Sequence, residues 1–274
     1  MPLNQIKFNE LIEHLIERAN LEERTNSIVR GRFGLDTPKS VTLQELGNRF
    51  SITRERVRQI ETQAVAELRD GILSVSEATA IFEFSKSYLQ GAGGIRLDDH
   101  LVSDYHRHFK SDDNVLTFGN RIRFLFRLLE YPYFSGESDL FRDFWYDDEK
   151  HRDDLSSIHD EIVSRLNKVE DFQETLKSVI SPKGINETIA ISYLSVSKKI
   201  GVGPYGDIGL SDWEEINPKT VRAKAYLLLK KAGAPMHFTE IAKAIGSHAP
   251  TVHNELIKDP RFALVSRGTY ALKS

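Results

Sequence analysis

Arg54, Glu55, Arg58 and Gln59 fall within two turns of what reads as one helix, and their side chains match the hydrogen-bonding edges of base pairs. Arginine can pair bidentately with guanine O6 and N7, glutamine with adenine, and glutamate can accept from the cytosine amino group. Each good pair discriminates by about 1–3 kcal/mol. Thr62 shares this sector when the helix is wound at about 100° per residue. Arg56 turns toward a flank, where a phosphate or a protein partner is the expected contact. The same residue types also describe an ordinary solvated helix face.

The elements that must hold this set are legible. Thr42 and Glu45, three residues apart, form a capping box that opens a helix at Leu43. Leu43, Leu46 and Phe50 give that helix an apolar face. Ser51, Ile52 and Thr53 make a tight connection, and Thr53 caps a second helix running to about Leu68. In the second helix Val57, Ile60, Ala64 and Leu68 form one narrow stripe that can pack on the first. The spacing predicts a helix-turn-helix with the polar set in the first turns, where such a helix reaches base edges in the major groove. Thr42 and Thr53, at the two helix starts, join the candidate DNA contacts. Ahead of this pair, Leu3 to Arg18 reads as an amphipathic helix with Ile6, Leu11, Ile12, Leu15 and Ile16 inward, expected to pack against it.

The stretches RGRFGLD (Arg30 to Asp36), TLQELGNRF (Thr42 to Phe50) and TRERVRQIE (Thr53 to Glu61) closely resemble region 4 of the primary-type bacterial RNA polymerase sigma factors. The resemblance spans about Ile28 to Arg69, both helices and the turn in register. It implies that the second helix reads duplex promoter DNA through Arg54, Glu55, Arg58 and Gln59. It also implies that the core polymerase, through its beta flap, is a partner. Some 27 residues precede the matching segment, too few for the sigma region that captures single-stranded promoter DNA. A recognition module in a regulator or accessory factor is therefore expected, rather than a complete sigma factor.

Composition narrows the classes. With 274 residues and 40% hydrophobic content, the chain can bury two or three small cores. It has no cysteine, which excludes disulfides, thiolate zinc sites and cysteine nucleophiles. No apolar run approaches a membrane span and no signal segment follows Met1, so the cytoplasm is expected and a membrane is not. The net charge of −3 hides a division. Lys and Arg against Asp and Glu run 11 to 11 in residues 1–74, 16 to 26 in 75–215 and 10 to 3 in 216–274. A basic tail suits phosphate, because neutralising phosphates releases condensed counterions. An acidic middle suits protein contact, repulsion of DNA from the wrong surface, or mere solubility.

The tail reads as helix Lys219 to Lys231, with Val221, Ala225, Leu228 and Leu229 inward and Gly233 and Pro235 as its stop. A short helix Thr239 to Ile245 follows, then Pro250 to Lys258 with Val252, Leu256 and Ile257 inward. Asp259 and Pro260 break that helix, and Phe262 to Leu272 form two strands around Arg267 and Gly268. Three helices and a hairpin predict a winged helix. AYLLLKKAGAPMHFTEIAKAI and TVHNELIKDPRFALVSRGTYAL resemble the HARE-type helix-turn-helix module, found also in the delta subunit of bacterial RNA polymerase. The resemblance implies a contact with nucleic acid or the transcription machinery. Candidate DNA contacts are Thr251, His253, Asn254 and Lys258 of the third helix and Arg267 at the wing tip; a protein-binding winged helix would expose the same residues.

Between these ends the pattern gives helices at Val75 to Leu89, Leu97 to Phe109, Arg121 to Glu130 and Arg152 to Lys168. It gives a short strand at Asn114 to Gly119, an aromatic hairpin over Tyr133 to Tyr146, and either a helix end or paired strands over Ser192 to Leu210. One or two further small helical or winged-helix units are expected. Gly201, Gly203 and Gly206 spell GxGxxG, but no helix opens there to face a phosphate, so they read as a hairpin or loop. The acidic pairs Asp98/Asp99, Asp112/Asp113, Asp147/Asp148 and Asp153/Asp154 read as caps and turns, and His106 and His108 point to different helix faces. No metal and no cofactor is expected.

The fold expected is mainly α and multi-domain, with a helix-turn-helix domain at 1–72, an acidic α-rich middle with short β-hairpins at 73–216 and a winged helix at 217–274. The function expected is non-enzymatic DNA binding in transcription. Two other classes stay open: a polymerase-binding module without sequence reading, and the recognition component of a DNA modification or restriction system.

Overall fold

In the computed structural model, which describes residues 6–273, helix α1 (Phe8–Ala19) buries Leu11, Ile12, Leu15 and Ile16 as their spacing requires. Ile6 and Lys7 precede the helix, and the expected start at Leu3 lies outside the described residues. Then come α2 (Glu23–Phe33), α3 (Leu43–Phe50) and α4 (Arg54–Arg69). A small apolar centre joins the last three: Ile28, Leu46 and Val57 are fully buried, with Leu43, Phe50, Ile52 and Ile60 around them. Ser51 closes α3 in the left-handed region at φ 54°. A Cβ on Gly47 would meet the Ile52 carbonyl oxygen at 2.8 Å, so only glycine lets the turn fold back so closely on α3.

After α4 the chain forms α5 (Ser76–Gly91), β1 (Ile95–Leu97), α6 (Asp98–His108), α7 (Val115–Leu129), β2 (Tyr133–Ser135) and β3 (Phe144–Tyr146). The strands pair antiparallel in the order β1-β3-β2, with Trp145 opposite both Arg96 and Phe134. The strand expected at Asn114 to Gly119 is instead the start of α7. The Asn114 side chain accepts from the Leu116 N–H and caps the helix, and Phe118 and Ile122 then share an inward face with Leu125 and Leu129. This helix packs against α1, α2 and α4. Phe8 of α1 lies edge-on to Phe109 and Phe118, at 5.0 and 4.8 Å between centroids.

Helix α8 (Glu149–Arg165), α9 (Phe172–Ile180), α10 (Glu187–Ser195) and the hairpin of β4 (Ile200–Val202) and β5 (Ile208–Leu210) follow. Gly201 pairs with Gly209 inside that hairpin and Gly206 turns it at φ 90°, which settles the GxGxxG spelling as strand and turn. The last elements are α11 (Val221–Ala232), β6 (Met236–His237), α12 (Phe238–Ile245), α13 (Ala249–Lys258), β7 (Phe262–Ser266) and β8 (Thr269–Leu272), with strand order β6-β8-β7. Val252 and Leu256 are buried, but Ile257, expected inward, is 62% exposed. It sits one residue past the Val252–Leu256 pair and so turns off the inner face at about 100° per residue. In α11 the inward residues are Ala223, Ala225, Leu227 and Leu229, while Val221 and Leu228 are partly buried.

Residues 76–146 and 221–272 thus share one plan: helix, strand, two helices and two strands, with the last strand central in each sheet. Residues 149–210 repeat it with a single 3-10 turn, Val169–Asp171, packed beside β5 where the first strand would be. By its contacts the chain divides into two compact units. One runs to Ser138 and takes in Arg142–Leu155; the other comprises Asp139–Phe141 and the residues from Ser156 on. The first has no break at residue 72 because α7 shares one core with α1 and α4.

Candidate nucleic-acid interface

The helix-turn-helix is built by the caps its sequence encodes. The Thr42 N–H and hydroxyl both donate to Glu45 Oε2, at 2.9 and 2.8 Å, while the Glu45 N–H donates back to Thr42 Oγ1 at 3.2 Å. The Thr42 backbone N–H holds the Glu45 carboxyl below its usual range. Thr53 Oγ1 accepts from the Arg56 N–H at 3.1 Å and opens α4. Both threonine side chains are therefore committed to helix starts.

The structure brings Arg54, Glu55, Arg58, Gln59 and Thr62 together, exposed, on the first turns of α4. Arg58 Nε and Nη2 both donate to the Glu55 carboxylate, at 2.9 and 2.6 Å. That pairing lowers the Glu55 carboxyl and raises the Arg58 guanidinium. Arg56 Nη1 donates to Gln59 Oε1 at 3.2 Å, and Thr62 Oγ1 returns to the Arg58 carbonyl at 2.9 Å. Arg56 lies to the flank, on a polar groove shared with Arg24, Gln63 and Glu67. Glu55 and Arg58 are each 58% exposed, so solvent screens their bond.

One residue that matters to this helix is absent from the sequence-derived set. Glu61 is buried where the polar face of α4 meets its apolar stripe, and its carboxylate accepts from Arg32 Nε at 2.9 Å and Arg127 Nη2 at 3.0 Å. The signal was there, since Glu61 lies about 40° from Val57 on the wheel and so on the apolar stripe. Helix α7 adds two more clamps on the approach to α3. Asn120 Nδ2 donates to the carbonyls of Gly34 and Thr37, both at 3.2 Å, and Arg121 Nε to that of Leu35 at 2.7 Å.

The second candidate set belongs to the other compact unit. Thr251, Asn254, Lys258 and Arg267 are exposed there. His253 is not free on the surface: its ring lies 4.7 Å from that of Phe238 and 5.9 Å from that of Tyr270. It packs as an aromatic at the edge of this module's core. Lys258 shares Glu255 with Arg222, at 3.6 and 2.9 Å. Arg267 stands at the β7–β8 turn beside Gly268, whose φ is 72° and where a Cβ would strike the His237 ring at 2.5 Å.

The acidic pairs bind cations of the chain itself. Asp98 accepts from Arg123 Nε at 3.0 Å and Trp145 Nε1 at 2.7 Å, Asp113 from Arg121 at 2.6 Å and Asp154 from Lys150 at 2.8 Å, and Asp147 meets His151 at 2.6 Å. Among the described residues no cluster of three or more such side chains could hold a metal ion. None of the helices searched there is long and apolar enough to cross a membrane.

The family model for Sigma-70, region 4, matches residues 19–70, which hold α2, α3 and α4. Residues 19–70 are a Sigma-70 region 4 domain. Over this part the chain is 44% identical to the RNA polymerase sigma factor SigA of Clostridium acetobutylicum across 69 residues, which is 25% of this chain and 18% of that protein. The SigA of Lactococcus lactis subsp. cremoris is 39% identical over 66 residues, 24% of this chain and 18% of its own length. A Bacillus SigA is 45% identical over 62 residues, 22% and 16% of the two chains. The match thus spans less than a fifth of these relatives, and it coincides with the part of the chain in which the region 4 domain presents Arg54, Glu55, Arg58 and Gln59.

Proposed function

We propose that this chain is a non-enzymatic, cytoplasmic transcription factor or accessory factor of RNA polymerase that reads duplex promoter-type DNA through α4. The observation that carries this reading is the exposed Arg54, Glu55, Arg58 and Gln59 face on a Thr53-capped helix of a region 4 domain. Arg54, Glu55, Arg58 and Gln59 read base edges, Arg56 meets phosphate or the partner, and the core polymerase, through its beta flap, is the protein partner. The segment from Val221 to Leu272 is a winged helix of the HARE type, in which Thr251, Asn254, Lys258 and Arg267 add phosphate contacts.

Selection of bound sequences from a random duplex pool, with and without core polymerase, tests the reading. A shared sequence must emerge, and Arg58→Ala must weaken that site by about 10- to 100-fold while random duplex changes little. Equal, weak affinity for every duplex together with retention of core polymerase would replace base reading with a protein-interaction role.

A further inference from the structure

An open groove of about 580 Å³ lies within the first compact unit, on the side of the region 4 domain where Glu61 is buried. Its floor is aromatic. Phe126 and Trp145 are buried and meet edge to face at 4.9 Å, and Trp145 meets Phe134 at 4.8 Å. Tyr133 and Phe134 line the groove as well, yet are 48% and 49% exposed. Adjacent in β2, they point to opposite faces of the sheet: Phe134 lies on Trp145 at the groove, and Tyr133 on Tyr146 behind it.

The rim is cationic. Arg32, Arg123 and Arg127 line it, and the Arg127 guanidinium lies 5.3 Å over the Phe33 ring. Arg123 pairs with Asp98 and Arg69 with Glu130, both at 2.5 Å, but Arg32 and Arg127 divide the single carboxylate of Glu61. At Glu61 two guanidiniums thus share one carboxylate, a local surplus of one positive charge. Each guanidinium has five N–H donors, and Glu61 takes one from Arg32 and one from Arg127.

Exposed ring faces beside a surplus guanidinium match an unpaired nucleotide, whose base stacks on aromatic and arginine planes while its one phosphate meets the cation. A purely apolar ligand would leave that charge unmatched, and paired bases in a duplex offer no free face. We propose that this groove binds an unpaired base of single-stranded nucleic acid, stacked on Phe134 with its phosphate at Arg32 and Arg127. The site is separate from the reading face of α4, so either can fail without the other.

The test uses the full chain, a short single-stranded DNA carrying 2-aminopurine, and a matched duplex. Phe134→Ala removes the half-exposed ring in the groove, Tyr133→Ala removes the one on the opposite face, and a thermal melt confirms that each variant is folded. The expected result is quenching of the 2-aminopurine on binding, with loss of that quenching, about tenfold weaker strand affinity and unchanged duplex affinity in Phe134→Ala, and wild-type behaviour in Tyr133→Ala. Arg58→Ala should do the reverse, weakening the selected duplex and sparing the strand. Failure to bind the strand, or equal strand binding and quenching by wild type and Phe134→Ala, overturns the proposal. A Phe134→Ala variant that keeps strand binding but loses core polymerase would assign the groove to a protein instead.

Discussion

At the scale of single residues, two carboxylates illustrate how differently the same group can serve. Glu55 is in solvent and holds Arg58 by a bond that solvent screens, whereas Glu61 is buried between Arg32 and Arg127. Glu61→Ala removes the shared acceptor of two half-exposed guanidiniums, so it should lower stability by about 1–3 kcal/mol. Urea denaturation of the full chain would show it as a lower midpoint; an unchanged midpoint would mean that the network contributes nothing. Asp259 gives a pH prediction. Arg261 donates to it through Nε, Nη2 and the backbone N–H, at 3.1, 2.7 and 3.0 Å, and holds its carboxyl below the usual range. A lowered folded value means stability that is present above the unfolded value, near pH 3.9, and lost as pH falls through the folded value. Asp259→Asn should therefore destabilise the chain at pH 7 and narrow the gap to wild type below about pH 4, read from denaturation midpoints across pH.

Among the elements, α3 and α4 are specified almost wholly by local signals, because a cap and a turn act over three or four residues. Thr42→Ala should cost about 1 kcal/mol of stability and leave the selected DNA sequence unaltered, since the hydroxyl is spent on Glu45. A changed sequence preference would show that Thr42 touches DNA directly. Helix α7 is the contrary case. Its apolar run was legible from Arg121 on, but the clamps of Asn120 and Arg121 on the loop before α3 depend on residues more than eighty positions away. Strands β1 and β6, of three and two residues, are too short to carry an alternating pattern, so their pairing was hidden even where the hairpins beside them were plain.

For the whole molecule, charge and repetition govern the reading. A net charge of −3 with a basic stretch at 216–274 predicts that any phosphate contact there is local and salt-dependent. Arg267→Ala should weaken random and selected duplexes alike and flatten the slope of log affinity against log salt by about 1. A loss confined to the selected duplex would make Arg267 a base reader. The plan shared by residues 76–146 and 221–272 gives the two segments different work. In the first, the third helix α7 packs on α1, α2 and α4; in the second, α13 keeps Thr251, Asn254 and Lys258 in solvent.

The sequence by itself determined what is short in range: the capped helix-turn-helix, its exposed Arg54 to Gln59 set, the tail's three helices and hairpin, and the uneven distribution of charge. Only the tertiary structure decided which polar groups were buried and which apolar ones were not. Glu61 finds its partners twenty-nine and sixty-six positions away, His253 joins an aromatic cluster, and Ile257, Tyr133 and Phe134 stay in solvent. Burial depends on what a distant segment brings to a face, and periodicity along one helix or strand carries no record of that neighbour.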